Sequence, residues 1–281
     1  MDLSDISNPR TLCTLTNVSS PVRFYSATEI EYVTADSRLV RTDVVTRLSK
    51  TYAADFSGYS VWGWSPDGKT LAYWTGARLW LKHEGQAAVA LADHKSQGGR
   101  GGGSSDQIAT LFSPSGTYFV AVNTVTIPLT FEIRRASDGA LVWSQPTDVG
   151  SSQWTTAAVW SRQSDRLYFR DGSGVRAWDP PGTVTTLVPG LMWRWPSISP
   201  NGRQIAYMVY DSKQRVELVD LQTLKVRVIS PDRGTSMFAS DDVLLYNTTI
   251  MGQKDRSFAF DLRTGVETEL PFAVLLDVWP R

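Results

Sequence analysis

One string recurs along the chain: an aromatic or apolar residue, then Ser, a turn-forming pair and a run of apolar residues. The clearest copies are Trp64-Ser65-Pro66-Asp67-Gly68-Lys69-Thr70-Leu71-Ala72-Tyr73, Phe112-Ser113-Pro114-Ser115-Gly116-Thr117-Tyr118-Phe119-Val120-Ala121 and Ile198-Ser199-Pro200-Asn201-Gly202-Arg203-Gln204-Ile205-Ala206-Tyr207. Weaker copies start at Tyr25, Trp160 and Phe238, and Trp279-Pro280 has the look of one more. The markers at 25, 64, 112, 160, 198, 238 and 279 are spaced by about 42 residues on average. Such a period constrains the fold strongly, because each repeat is then one supersecondary unit that must bury its apolar surface against its neighbours.

Each repeat reads as four strands. The apolar run before the marker is an inner strand; the Ser-Pro-Asp-Gly segment is a tight turn, with Pro presetting φ and Gly accepting φ > 0; the next run is a second strand. Two more follow, as in 215–221 and 225–229, or 174–179 and 183–188. Alternation within them is imperfect, as expected for sheets packed on both faces. No amphipathic helix is evident. The expected fold is all-β, a β-propeller of four-stranded blades in a single domain over 1–281, since a unit of about 42 residues matches one blade. Residues 1–4 and 10–15 resemble a third and fourth strand and 272–279 an inner strand, so a closing blade shared by the two ends is expected. Seven blades are favoured, six complete plus the shared one; six is the alternative.

Composition narrows the class without naming a function. At 42% hydrophobic and 20% charged, neither disorder nor a membrane span is indicated. Lys+Arg and Asp+Glu balance at 28 each, so no net field draws the chain to nucleic acid. A lone cysteine, Cys13, with His83 and His94 as the two histidines, makes an intramolecular disulfide impossible and all but excludes a Cys/His metal site. The start Met1-Asp2-Leu3-Ser4-Asp5 lacks the basic and apolar regions of a secretory signal, so the compartment stays open: cytoplasmic, or extracytoplasmic with a leader or anchor removed.

The Trp/Phe-Ser-Pro-Asp-Gly signature followed by an apolar strand resembles the TolB-like or PD40 class of WD40-like β-propellers, and its bacterial members most closely. The likeness runs through nearly the whole chain. Eukaryotic WD repeats show Gly-His and Trp-Asp pairs; here Trp178-Asp179 occurs and Gly-His does not. The resemblance implies a fold rather than an activity, because such propellers serve as binding modules, as gating domains of prolyl-oligopeptidase-like peptidases and as lactonase- or lyase-like enzymes.

No catalytic constellation is visible. Gly58-Tyr59-Ser60-Val61-Trp62-Gly63 has the wrong spacing for a nucleophile elbow. Gly98-Gly99-Arg100-Gly101-Gly102-Gly103-Ser104-Ser105 lacks the Gly-Lys-Ser/Thr ending and the helix that make a phosphate loop, and reads as a flexible connection. Asp55, Asp106, Asp148, Asp232 and Asn247 lie in or near loops where they could ring a channel and hold Ca²⁺; turn capping is the plainer reading, and no cofactor or metal ligand is assigned. Trp64, Trp160 and Trp178 sit at repeated positions and are expected to pack between blades. Tyr52, Arg100, Trp154 and Trp193 lie in segments entering inner strands and are the candidate binding residues of one rim, with core packing the competing reading for the aromatics. The function expected is a non-enzymatic module that recognises a protein, peptide or glycan through its loops. The alternative is a metal-assisted lactonase- or lyase-like enzyme with its site in the channel mouth; a third reading makes the chain one domain of a membrane-anchored sensor.

Overall fold

The computed structural model describes residues 14–19, 22–54, 62–75, 78–91, 112–123, 129–147, 158–191, 193–210, 214–231, 234, 236–248 and 256–270. They form strands and turns with no helix. Sheet 1 comprises β1 (Arg23–Phe24), β2 (Glu29–Val33), β3 (Leu39–Asp43) and β4 (Ser49–Ala53); sheet 2 comprises β5 (Trp62–Trp64), β6 (Thr70–Thr75), β7 (Arg78–His83) and β8 (Val89–Leu91). Sheet 3 has β9 (Tyr118–Asn123), β10 (Leu129–Arg135) and β11 (Leu141–Thr147), with an isolated Phe112–Phe119 bridge where the other sheets have a first strand. Sheet 4 contains β12 (Ala158–Trp160), β13 (Leu167–Asp171), β14 (Gly174–Asp179) and β15 (Thr183–Pro189). Sheet 5 contains β16 (Arg194–Ile198), β17 (Gln204–Tyr210), β18 (Gln214–Asp220) and β19 (Val226–Pro231). Sheet 6 contains β20 (Ser236–Phe238), β21 (Val243–Thr248), β22 (Arg256–Asp261) and β23 (Glu267–Glu269). Within each sheet the strands run antiparallel in sequence order, so every repeat is a local meander.

The six described sheets coincide with the six full repeats. The segments expected to form a closing blade, 1–13 and 271–281, lie outside the described residues. Just after the first of them, Val18 bridges Thr34 and Ser19 N–H donates to Val33 O at 2.8 Å, so the chain ahead of Tyr25 pairs with β2.

Burial grades across each sheet. β2 and β3 are almost wholly buried, β13 entirely so, while β4, β15 and β23 are mainly exposed. Strands buried on both faces need apolar residues at consecutive positions, which is why alternation failed as a guide there. The core lies between successive sheets. Val33 and Leu39 of sheet 1 pack with Trp62, Leu71 and Tyr73 of sheet 2. Leu79 and Leu81 pack with Phe119 and Ile133, and these with Trp160, Leu167 and Trp178 of sheet 4. Val175 and Ala177 meet Trp193, just ahead of β16, and Ile205 of sheet 5, and Val216 and Leu218 meet Phe238 and Leu244 of sheet 6. Trp160 and Trp178, both buried, meet edge-to-face at 6.2 Å.

The recurrent turn is held by its serine. Gly68, Gly116 and Gly202 have φ of 69°, 74° and 69°, and each donates its N–H to the carbonyl of the turn's Ser. In these three copies that Ser is buried, and its hydroxyl accepts the first N–H of the next strand: Thr70 to Ser65 at 2.9 Å, Tyr118 to Ser113 at 3.2 Å and Gln204 to Ser199 at 3.0 Å. A second turn recurs between the third and fourth strands and had no clear sequence signature. Asp43, Asp220 and Asp261 each accept two N–H bonds within it, which hold their carboxyls below the usual range. Its left-handed position is filled by Arg47, Leu224 or Gly265.

Two sets of substitutions test these turns by urea denaturation. Gly202→Ala is expected to cost about 1 kcal/mol, the penalty of a Cβ in the left-handed region. Gly68→Ala is expected to cost more, because its Cβ would fall 2.1 Å from Tyr25 Oη. Leu224→Gly, at φ 57°, is expected to gain up to about 1 kcal/mol by relieving the same strain; a loss of stability there would show that packing rather than backbone conformation governs the position.

Candidate functional site

Antiparallel order fixes which connections share a face. The first–second and third–fourth turns emerge on one face of every sheet; the second–third turns and the links between sheets emerge on the other. On the first face, neighbouring turns interlock. Tyr25 Oη occupies the space beside Gly68, and Pro66 Cδ lies 3.3 Å from the Cβ position of Gly116. Ser115 N–H donates to Asp165 at 3.1 Å, Gln163 to Asn201 O at 2.6 Å, and Asn201 N–H to Asp241 at 2.7 Å. The first five units therefore each touch the next through their turns.

The opposite face carries the long links 54–61, 92–111 and 148–157. Most of the expected rim, including Arg100 and Trp154, lies outside the described residues, as do Asp55, Asp106, Asp148 and Asp232. Asn247 is described and has a structural partner, accepting the Ser257 hydroxyl at 2.7 Å across β21 and β22. Among the described residues no three His, Cys, Asp or Glu side chains gather as a metal-holding group. Gln145, Arg176 and Ser173 all bond to Asp171, linking sheets 3 and 4; these bonds outweigh the upward pull of burial and hold its carboxyl low.

Tyr52 leads to a polar cluster at the junction of sheets 1 and 2. Cross-strand register sets Glu31 opposite Arg41, and Arg41 opposite Lys50, so all three side chains share one face of sheet 1. Arg41 donates from Nε and Nη2 to Glu31 Oε1 at 3.0 and 2.8 Å, and Trp62 of sheet 2 donates to Glu31 Oε2 at 3.2 Å. The Arg41 guanidinium lies 3.1 Å from the Tyr25 ring centre and 4.6 Å from those of Tyr52 and Trp64. Tyr52 meets Trp64 edge-to-face at 4.9 Å, its carbonyl accepts Lys82 Nζ from sheet 2 at 2.7 Å, and Lys50 Nζ stands 4.9 Å from its ring centre. Burial pushes the Glu31 carboxyl up, and Arg41 only partly offsets it. Chemically the junction is a cation-rich aromatic box with one neutralising carboxylate.

No family model matches the sequence, and no curated protein does. Solved structures do match. TolB from Acinetobacter baumannii is 18% identical with a TM-score of 0.53, over 84% of this chain and 59% of TolB. The Cps50 (Swd1) β-propeller domain of Myceliophteria thermophila is 13% identical with a TM-score of 0.58, over 91% and 87% of the two chains. The fold is a TolB-like β-propeller. An oligogalacturonate lyase in complex with manganese is a further neighbour, 12% identical with a TM-score of 0.58, over 86% of this chain and 73% of the lyase. The chain thus spans less than two thirds of the TolB structure and most of the other two.

Within the propeller, Trp193 is corrected as a rim candidate. It has no exposed surface, packs on Tyr207 with ring centres 5.7 Å apart, and its carbonyl accepts Arg170 Nη1 at 3.1 Å. Its place between sheets 4 and 5 consumes the indole in packing. Glu31, Arg41 and Lys50 went unremarked in the sequence because only strand register brings them together. Arg41→Met is expected to cost about 3–5 kcal/mol at pH 7 by leaving the Glu31 charge buried without its partner. In that variant the folded state retains a proton that the unfolded carboxyl releases near its ordinary 4.5, so stability falls as pH rises from there through the raised folded value. Urea denaturation of both proteins at pH 5 and pH 7 checks this; an equal deficit at the two pH values would remove Glu31 as the cause.

Proposed function

We propose that the chain is a non-enzymatic binding module that takes a protein, peptide or glycan on the face bearing the links between blades. The observation supporting this reading is an asymmetry between faces. On one face the turns are short and hydrogen-bonded, and they interlock from blade to blade. On the other, connections range from 172–173 and 190–193 to 92–111. Length variation confined to one face of a rigid frame is how a scaffold carries recognition. Among the described residues no helix is long and apolar enough to cross a membrane.

The likeness to a manganese-bearing lyase supports a competing reading, a metal-assisted propeller enzyme working in the channel mouth. Metal analysis of protein purified without chelator separates the two: a stoichiometric divalent ion would favour the enzyme. For the binding reading, replacing Arg100 and Trp154 together by Ala is expected to abolish capture of a partner from the source lysate while leaving the urea midpoint unchanged. Replacing Lys69 and Gln222, exposed on the turn face, is expected to leave capture intact. Equal loss from the two sets would count against a one-faced binding surface.

A further inference from the structure

The junction of sheets 1 and 2 holds more positive charge than its packing requires. Arg41 is neutralised by Glu31 in a buried pair, at 8% and 5% side-chain exposure. Lys50 lies directly opposite Arg41 on β4, and like charges in that relation destabilise a sheet. Lys82 approaches from β7 and spends its ammonium on a backbone carbonyl, that of Tyr52. Neither lysine is paired with a carboxylate among the described residues. By contrast Glu132 pairs with Arg134, Asp171 with Arg176 and Glu217 with Arg215. The surplus is also accessible: Lys50 is exposed on the outermost strand of its sheet, and Tyr52 and Lys82 are half-buried.

We propose that this junction docks an acidic peptide segment of a protein partner, with its carboxylates on Lys50 and Lys82 and the Arg41–Glu31 pair fixed beneath them. The inference rests on the binding-module reading in that the chain recognises a protein, and it adds a contact at the blade junction, apart from the face bearing the links. Two cations without anions, held about one aromatic side chain, match carboxylates in charge and in hydrogen-bonding capacity. A sugar would need a bare aromatic face, and the Tyr52 ring is already approached by Arg41, Lys50 and Trp64. An acidic peptide is therefore the fitting occupant rather than an acidic glycan.

The test is fluorescence anisotropy with a fluorescein-labelled Glu-Gly repeat peptide of about ten residues, in about 50 mM NaCl, where surface charge is weakly screened. Saturable binding is expected. It should weaken about tenfold in Lys50→Glu and about tenfold in Lys82→Gln, and stay unchanged in Lys225→Glu, an exposed lysine after the third strand of sheet 5. Circular dichroism and thermal melting show whether each variant is folded; Lys50→Glu, at an exposed position, keeps the test decisive if Lys82→Gln is destabilised. No saturable binding, equal weakening by Lys225→Glu, or tighter competition by oligogalacturonate than by unlabelled peptide would each overturn the inference. A chain that captures its lysate partner through Arg100 and Trp154 yet ignores the peptide would overturn it while leaving the binding-module reading in place.

Discussion

Everything in this molecule depends on successive sheets burying one another's faces. A four-stranded meander whose middle strands carry apolar residues on both sides has no stable existence alone. Here Val33 and Leu39 find cover against Trp62 and Tyr73 of the next sheet, and Ala177 against Trp193 and Ile205. The core is therefore a series of interfaces, and a charged group placed in one must bring its partner along. Glu31–Arg41 and the Tyr207 hydroxyl donating to Glu217 at 3.0 Å meet that condition. Burial raises the Tyr207 hydroxyl's pKa, so it stays protonated and able to donate.

The turns convert this packing into a frame with two unlike faces. A buried Ser hydroxyl satisfies the N–H that starts the second strand, and Gly supplies the conformation that lets the chain reverse within a few residues. Because turns of successive sheets also contact each other, a change in one is felt by its neighbour, which restricts what the sequence there can become. The links on the other face vary in length and carry no recurrent turn, although the link 190–193 still sends Trp193 into the core. Constraint on one face and freedom on the other follow from the same topology.

The repeat was legible because its turn uses residue types with few substitutes: Pro for φ, Gly for the left-handed position, Ser for a short buried acceptor. The second recurrent turn was not, since its left-handed position tolerates Arg47 and Leu224 as well as Gly265, and its Asp is one of many. Trp193 illustrates a different limit. A tryptophan entering an inner strand can point to the rim or into the interface, and that choice is made by what surrounds it there, Val175 and Ala177 of the facing sheet and Tyr207 of its own. Glu31, Arg41 and Lys50 are spaced by ten and nine residues, and nothing in that spacing pairs them until the register of β2, β3 and β4 is known.

The charge at the first junction fits this division of labour. A buried ion pair by itself gives little net stability, and a matched apolar pair would serve packing as well. Placing a further lysine opposite Arg41 works against the sheet, so stability does not account for Lys50. What the arrangement does provide is rigidity: Arg41 is fixed by Glu31 and three aromatic rings, and the ammonium of Lys82 is tied to the backbone of the neighbouring sheet. Cations held on strands rather than on loops lose less freedom when they bind an anion, and a junction between two locked sheets is where this fold can hold them.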